Sequence, residues 1–182
     1  TIIDATNLSI SPGFINMLSW GYSSLMKDGR SLSDLKQGVT LEVFGEGVSP
    51  GPYVQEGERF SFKHAMEALE NSGVSTNIAS FLGATTARMM EVGFENRPAT
   101  EKEMEKMKQM VQESMEQGAM GIGSSLIYAP ADYAPTQELV ELCRVASKNG
   151  GMYISHMRNE DNLLMEAVEE LITISREAEI PA

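Results

Sequence analysis

Apolar positions along this chain fall into two alternating rhythms. Short runs of strand character occupy Phe14 to Leu18, Val39 to Phe44, Thr76 to Leu82, Met120 to Ser124 and Met152 to His156. Between most of them lie stretches with an apolar position every third or fourth residue, the period of a helix with one buried side. The plainest helix spans Thr100 to Gln117. Thr100 and Glu103 form a capping box, Met104, Met107, Val111 and Met115 make one stripe, and Gly118 supplies the stop. Helices are also predicted over Ser31 to Gln37, Ser61 to Asn71, Pro135 to Asn149 and Asn162 to Ala178, the last carrying Leu164, Ala167, Val168, Leu171 and Ile174 on one side.

Strand then helix, in steady alternation, implies parallel pairing and an α/β architecture. A doubly wound open sheet usually has a Gly-rich phosphate turn after its first strand, and Ser19-Trp20-Gly21-Tyr22 is no such turn. An incomplete (β/α)8 TIM-type barrel of roughly five to six units fits better, since a complete barrel takes about 250 residues. The Gly- and Pro-rich stretch Gly45 to Arg59 reads as a loop on the barrel face.

Composition narrows the partners. The 182 residues are 42% hydrophobic and 22% charged, ordinary for a folded globular chain. A net charge of −12 argues against nucleic acid and anionic membrane, which reward clustered Lys and Arg. The single cysteine, Cys143, lies in an apolar helical pattern and reads as a buried structural thiol. There is no apolar run long enough to span a bilayer and no signal-peptide pattern, so cytoplasm is the default compartment. A start without Met and an apolar stretch opening at Ile180 read as the cut ends of a fragment.

In a barrel, chemistry collects at the carboxyl ends of the strands. Gly45-Glu46-Gly47 follows the second strand, and its carboxylate is either a solvated turn residue or a ligand approached closely through the flanking glycines. His156 ends the fifth strand, with Arg158 close behind, and is either a ligand or proton carrier or a structural donor. Ser125 and Tyr128, with Tyr133 beyond, follow the fourth strand and suit a small-molecule pocket or rim packing. Arg88, after the third strand, is a candidate partner for a substrate carboxylate, as is Arg158. His64 sits within a predicted helix, where a non-catalytic position is expected, and the methionines of the stripe belong to packing.

Several segments together resemble one family. Ser11-Pro12-Gly13-Phe14-Ile15 is similar to the entry of the first barrel strand in the amidohydrolase superfamily. Gln37 to Thr40, Asn77 to Gly83, Gly118 to Pro130 and Tyr153 to Arg158 resemble its D-aminoacylase (N-acyl-D-amino-acid deacylase) branch, in order and spacing. The resemblance implies that residues 1–11 end a small β-domain and residues 12–182 form an incomplete amidohydrolase barrel, the N-terminal fragment of a longer enzyme. It also implies zinc, one ion per full-length chain, whose activated water attacks the acyl carbonyl of a small N-acyl amino acid. His156 matches a metal-binding histidine, and Glu46 stands where members carry a metal-binding cysteine.

The departures are equally specific. Leu18-Ser19-Trp20 replaces a His-x-His, and Ala84 stands where many relatives have a histidine. The next metal histidine and the general-base aspartate would fall beyond Ala182. The expectation is therefore a mononuclear site on Glu46, His156 and one later histidine, a fragment inactive alone, and a truncated barrel prone to pair as a homo-oligomer or aggregate. A family member that has lost catalysis and serves as a binding or structural protein is the alternative, and a cyclic amide substrate is a third reading.

Overall fold

The computed structural model describes residues 4–182 and has mixed α/β architecture. The chain runs β1 (Phe14–Asn16), α1 (Tyr22–Leu25), α2 (Leu32–Leu35), β2 (Val39–Phe44), β3 (Tyr53–Gln55), β4 (Glu58–Phe60), α3 (Phe62–Ser72), β5 (Asn77–Ser80), β6 (Leu82–Gly83), α4 (Ala84–Glu91), α5 (Glu101–Glu116), β7 (Gly121–Ser125), α6 (Thr136–Lys148), β8 (Met152–His156) and α7 (Leu164–Ala178). Of the segment assigned to a β-domain, residues 1–3 lie outside the described residues, and 4–11 hold a turn closed by Leu8 N–H on the Ala5 carbonyl.

Two parallel three-stranded sheets, β1-β2-β5 and β6-β7-β8, carry the fold. Only Phe81 separates β5 from β6, and its N–H donates to the Phe44 carbonyl at 2.9 Å. The two sheets therefore meet along one bent strand, and the parallel strands follow one another in chain order. Register is continuous from Leu41 opposite Asn77 to Phe44 opposite Ser80, and from Gly121 opposite Met152 to Ser125 opposite His156. Beyond α7 the chain returns beside β8, where Tyr153 N–H donates to the Pro181 carbonyl at 2.8 Å. Among the described residues β1 pairs only with β2, so the row is open at that edge.

The predicted elements appear with small shifts at their ends, and α1, β3, β4 and α4 were not foreseen. The stretch Gly45 to Arg59, read as a loop, contains β3 and most of the antiparallel β4. Residues 84–91, assigned to no helix from the sequence, form α4. The α5 capping box is present as predicted: Thr100 accepts from Glu103 N–H while the Glu103 carboxylate accepts from Thr100 N–H. Met107 and Val111 of its stripe are buried, and Met104 and Met115 pack half-buried beside them.

The main core lies between β6-β7-β8 and the helices α4 to α7, where Leu82, Met107, Ile122, Leu139, Tyr153 and Ile174 are fully enclosed. Burying each such side chain stabilises by about 1.5–3 kcal/mol. Cys143 belongs to this core, and burial pushes its thiol pKa well up, which leaves an inert packing group. Around β1-β2-β5 the core is far smaller, with Leu25, Phe44 and Leu69 at its centre. No helix among the described residues is long and apolar enough to cross a membrane.

Candidate functional site

Parallel pairing brings the carboxyl ends of β2, β7 and β8 to one side of the sheet. Glu46 leaves the end of β2 between Gly45 and Gly47, both with positive φ, +96° and +85°. The space is as restrictive as the dihedral. A Cβ on Gly45 would lie 2.1 Å from the Phe81 carbonyl oxygen, and one on Gly123 of β7 would lie 2.1 Å from the Gly45 carbonyl oxygen. Bare backbone on both strands thus lets the Glu46 turn lie across the sheet, where Thr85 N–H secures it by donating to the Gly47 carbonyl at 3.0 Å.

His156 reaches the same place from the last residue of β8, its carbonyl held by Leu126 N–H at 2.8 Å. Its Nδ1 stands 4.0 Å from a Glu46 carboxylate oxygen, and both side chains are largely enclosed, 21% and 14% exposed. Tyr128 meets the imidazole edge-on, with ring centroids 5.4 Å apart. Glu160, on the loop after β8, brings a carboxylate oxygen 3.2 Å from Nε2, yet Nε2 makes no hydrogen bond. Ser125, beside His156 in register, is likewise buried with an unpartnered hydroxyl. Buried polar atoms without partners are uncommon, and two of them border one cavity of about 410 Å³.

Burial raises the Glu46 pKa, with His156 opposing that rise and Glu160 adding to it. A carboxylate that water does not fully solvate and an imidazole nitrogen without a partner are a donor pair suited to a hard or borderline cation. Among the described residues no group of three His, Cys, Asp or Glu side chains is gathered closely enough to hold a metal ion alone.

Of the residues singled out in the sequence, Glu46, Ser125, Tyr128 and His156 share the cavity. The two arginines do not. Arg88 is enclosed in α4, where its Nη1 donates to both Glu138 carboxylate oxygens at 2.8 and 2.9 Å and its Nη2 to the Glu95 and Arg97 carbonyls. With side chains 1% and 3% exposed, this ion pair ties α4 to α6, and the expectation of a substrate-binding Arg88 is corrected accordingly. Arg158 is committed as well: its Nε and Nη2 donate to Glu170 of α7, Nη1 to the Asp132 carbonyl and Nη2 to the Ala134 carbonyl. It joins the loop after β7 to α7 and has no part in the cavity lining. His64 is exposed on α3, 4.7 Å from the Phe60 ring by centroids.

Sequence reasoning missed the opposite wall and what supports it. Leu18, Trp20 and Val48 line the cavity. Beneath them Glu42 of β2 is 2% exposed, yet it accepts hydrogen bonds from three hydroxyls, those of Ser19 (2.7 Å), Ser31 (2.5 Å) and Thr76 (2.9 Å). The only sequence signal was a polar residue amid a strand, indistinguishable from an ordinary outward position. A second polar chain joins Ser124, Ser155 and Tyr153 below the His156 end, with Ser124 Oγ 2.6 Å from the Tyr153 hydroxyl.

No protein-family model matches the chain. Curated relatives do. D-aminoacylase of Alcaligenes xylosoxydans xylosoxydans is 32% identical over 196 residues, covering 100% of this chain and 40% of that protein. N-acyl-D-aspartate deacylase of the same organism is 30% identical over 97% of this chain and 39% of its own length. The chain thus spans about two fifths of the curated relatives it matches. Among solved structures, a D-aminoacylase that defines a novel subset of amidohydrolases superimposes with a TM-score of 0.83 at 31% identity, over 93% of this chain and 39% of the other. A D-aminoacylase with a binuclear metal centre, activated by one metal and attenuated by the second, gives 0.82 at 32% with the same coverage. N-acyl-D-glutamate deacylase of Bordetella bronchiseptica, complexed with zinc and a phosphonate mimic of the tetrahedral intermediate, gives 0.84 at 28%, again over 93% and 39%. Along essentially its whole length, this chain is a homologue of the D-aminoacylase and N-acyl-D-amino-acid deacylase branch of the amidohydrolases.

Proposed function

We propose that the protein carrying this chain hydrolyses the amide bond of N-acyl-D-amino acids at a single metal ion held in part by Glu46 and His156. The observation that carries this reading is their meeting at the strand ends, with the unpartnered His156 Nε2 and Ser125 hydroxyl bordering the same cavity. The order and parallel direction of the strands support residues 12–182 as part of a (β/α)8 barrel, with residues 1–11 entering from a small β-domain. Zinc held in part by Glu46 and His156 would supply Lewis acidity for the amide carbonyl and a source of hydroxide near neutral pH.

The chain's own residues set the stage for that chemistry. The Gly45-Glu46-Gly47 turn sets the backbone from which the Glu46 carboxylate reaches the site, and the end of β8 sets that of His156. Ser125 and Tyr128 line the cavity, and their hydroxyls would donate to substrate oxygens there. A relative is activated by one metal and attenuated by a second. Leu18 and Trp20 provide no ligand for a second ion here, which supports a mononuclear site.

The test is turnover of N-acetyl-D-amino acids by the complete protein before and after chelation. Chelator-sensitive hydrolysis of D but not L substrates, restored by zinc, is the expected result. A folded protein without turnover on any of them would contradict the enzyme reading and favour a binding protein in which the change to Leu18-Ser19-Trp20 accompanied loss of catalysis.

A further inference from the structure

We infer that Arg158 is a positioning residue: by gripping Asp132 and Ala134 it holds the loop after β7 so that Tyr128 stands against His156 at the edge of the cavity. This rests on the deacylase reading above and gives a role in it to an arginine outside the cavity lining.

The loop leaves β7 at Ser125 and enters α6 at Thr136. It carries Tyr128, whose ring meets the His156 imidazole edge-on with centroids 5.4 Å apart. Tyr128 is 60% exposed, so side-chain packing does little to fix it, and its main chain is held instead. Leu126 N–H donates to the His156 carbonyl at 2.8 Å, and Asp132 N–H donates to the Tyr128 carbonyl at 3.1 Å.

Arg158 fastens the far side of this loop. It follows His156 by two residues, and its Nη1 donates to the Asp132 carbonyl at 2.7 Å and its Nη2 to the Ala134 carbonyl at 2.9 Å. Nε and Nη2 also donate to the two Glu170 carboxylate oxygens, each at 2.8 Å, and that carboxylate accepts from the Thr136 hydroxyl at 2.7 Å. One guanidinium therefore links the chain just past β8, the loop and α7. A relay of two hydrogen bonds, Arg158 to Asp132 and Asp132 to Tyr128, runs from it to the residue that faces His156. The arrangement requires arginine, because the N–H groups of a planar fork reach a carboxylate and two carbonyls at once, whereas the ammonium of lysine is a single point. A loop that carries a substrate-contacting hydroxyl needs such support, since a displacement of about 1 Å can cost roughly a hundredfold in rate.

The experiment compares kcat and KM of the complete protein, with the N-acetyl-D-amino acid it turns over fastest, in wild type, Arg158→Met, Arg158→Lys, Tyr128→Phe and the double variant Arg158→Met, Tyr128→Phe. Arg158→Met should lower kcat/KM by roughly tenfold to a hundredfold with zinc content unchanged, and Arg158→Lys should restore only a minor part. Because the arginine acts through Tyr128, the same change should cost less than about threefold once the Tyr128 hydroxyl is gone. An equal loss in both backgrounds, or full activity in Arg158→Met or in Tyr128→Phe, would overturn the inference while leaving the deacylase reading intact.

Amide hydrogen exchange of residues 126–134 decides the clamp whether or not anything is turned over. Arg158→Met should speed exchange there by about tenfold or more while β7 and β8 keep their wild-type protection. Unchanged exchange in the loop, or equal acceleration throughout β7 and β8, would overturn it. A loosened loop in a protein whose wild type turns over nothing would support the clamp and contradict the deacylase reading alone.

Discussion

The two halves of this molecule are held together by different means, and the candidate site lies where they meet. The β6-β7-β8 half encloses a large apolar core and one buried ion pair, Arg88 with Glu138. The β1-β2-β5 half has a small core, leaves Phe14, Ile15, Met17 and Leu18 exposed, and buries Glu42 among three hydroxyls. Glu46 comes from the second of these halves and Ser125 and His156 from the first. One half is a rigid platform; the other presents a turn and a wall to it. Ligand geometry then depends on the seam at Phe81, Gly45 and Gly123, where backbone rather than side chains makes the contact.

Breaking the platform should have the largest effect. Glu138→Ala leaves the Arg88 guanidinium enclosed without its carboxylate, at a cost of about 3–5 kcal/mol. Urea unfolding of the complete protein should show a large loss, and the double variant Arg88→Met, Glu138→Leu should recover much of it. Equal loss in single and double variants would show that packing, not the unpaired charge, sets the cost.

A smaller effect is expected on the other side of the seam. Glu42→Ala removes the acceptor of three hydroxyls and should cost about 1–3 kcal/mol. Because Ser19 loses its anchor, Trp20 emission should also change in this variant. In Glu138→Ala, native-state emission should stay as in wild type wherever the protein remains folded. A Trp20 response of the same size in both would erase the distinction between the halves.

The smallest effect concerns the platform's surface. Lys108 bridges to Glu141 at 2.8 Å, and that hydrogen bond, opposed by burial and aided by the charges of Lys108 and Arg144, lowers the Glu141 pKa. A carboxyl pKa lower in the folded than in the unfolded state contributes stability above the ordinary carboxylate range, and that stability is lost as pH falls through the folded value. Lys108→Met should therefore cost about 0.2–1 kcal/mol at pH 7, with the difference from wild type closing in acid. Thermal melts across pH measure this directly; a pH-independent difference would assign the cost to packing of the lysine stem.

The contrast also explains what could be read from the sequence. Val39–Phe44 and Met152–His156 were legible to the residue, because the first is a short run between two glycines and the second starts after Gly150-Gly151 and ends on a polar histidine. The α5 cap was legible because both its members lie within four residues. Helix α4 was not: Ala84-Thr85-Thr86-Ala87 has middling helix propensity and no side-chain cap, and burial against the platform stabilises it instead. Missing that helix is what made Arg88 look like a free anchor, since its partner lies 50 residues away. Glu42 was hidden for the same reason, its three hydroxyls coming from separate segments. Glu46 and His156 were legible as strand-end residues, whereas the apolar wall facing them was read only as missing histidines.

The most direct test is the zinc content of the complete protein in wild type, Glu46→Ala and His156→Ala, measured by elemental analysis after removal of loosely held metal. About one ion per chain in wild type, lost or sharply reduced in both folded variants, is the predicted result. Unchanged zinc in either variant would contradict a metal site shared between the two halves.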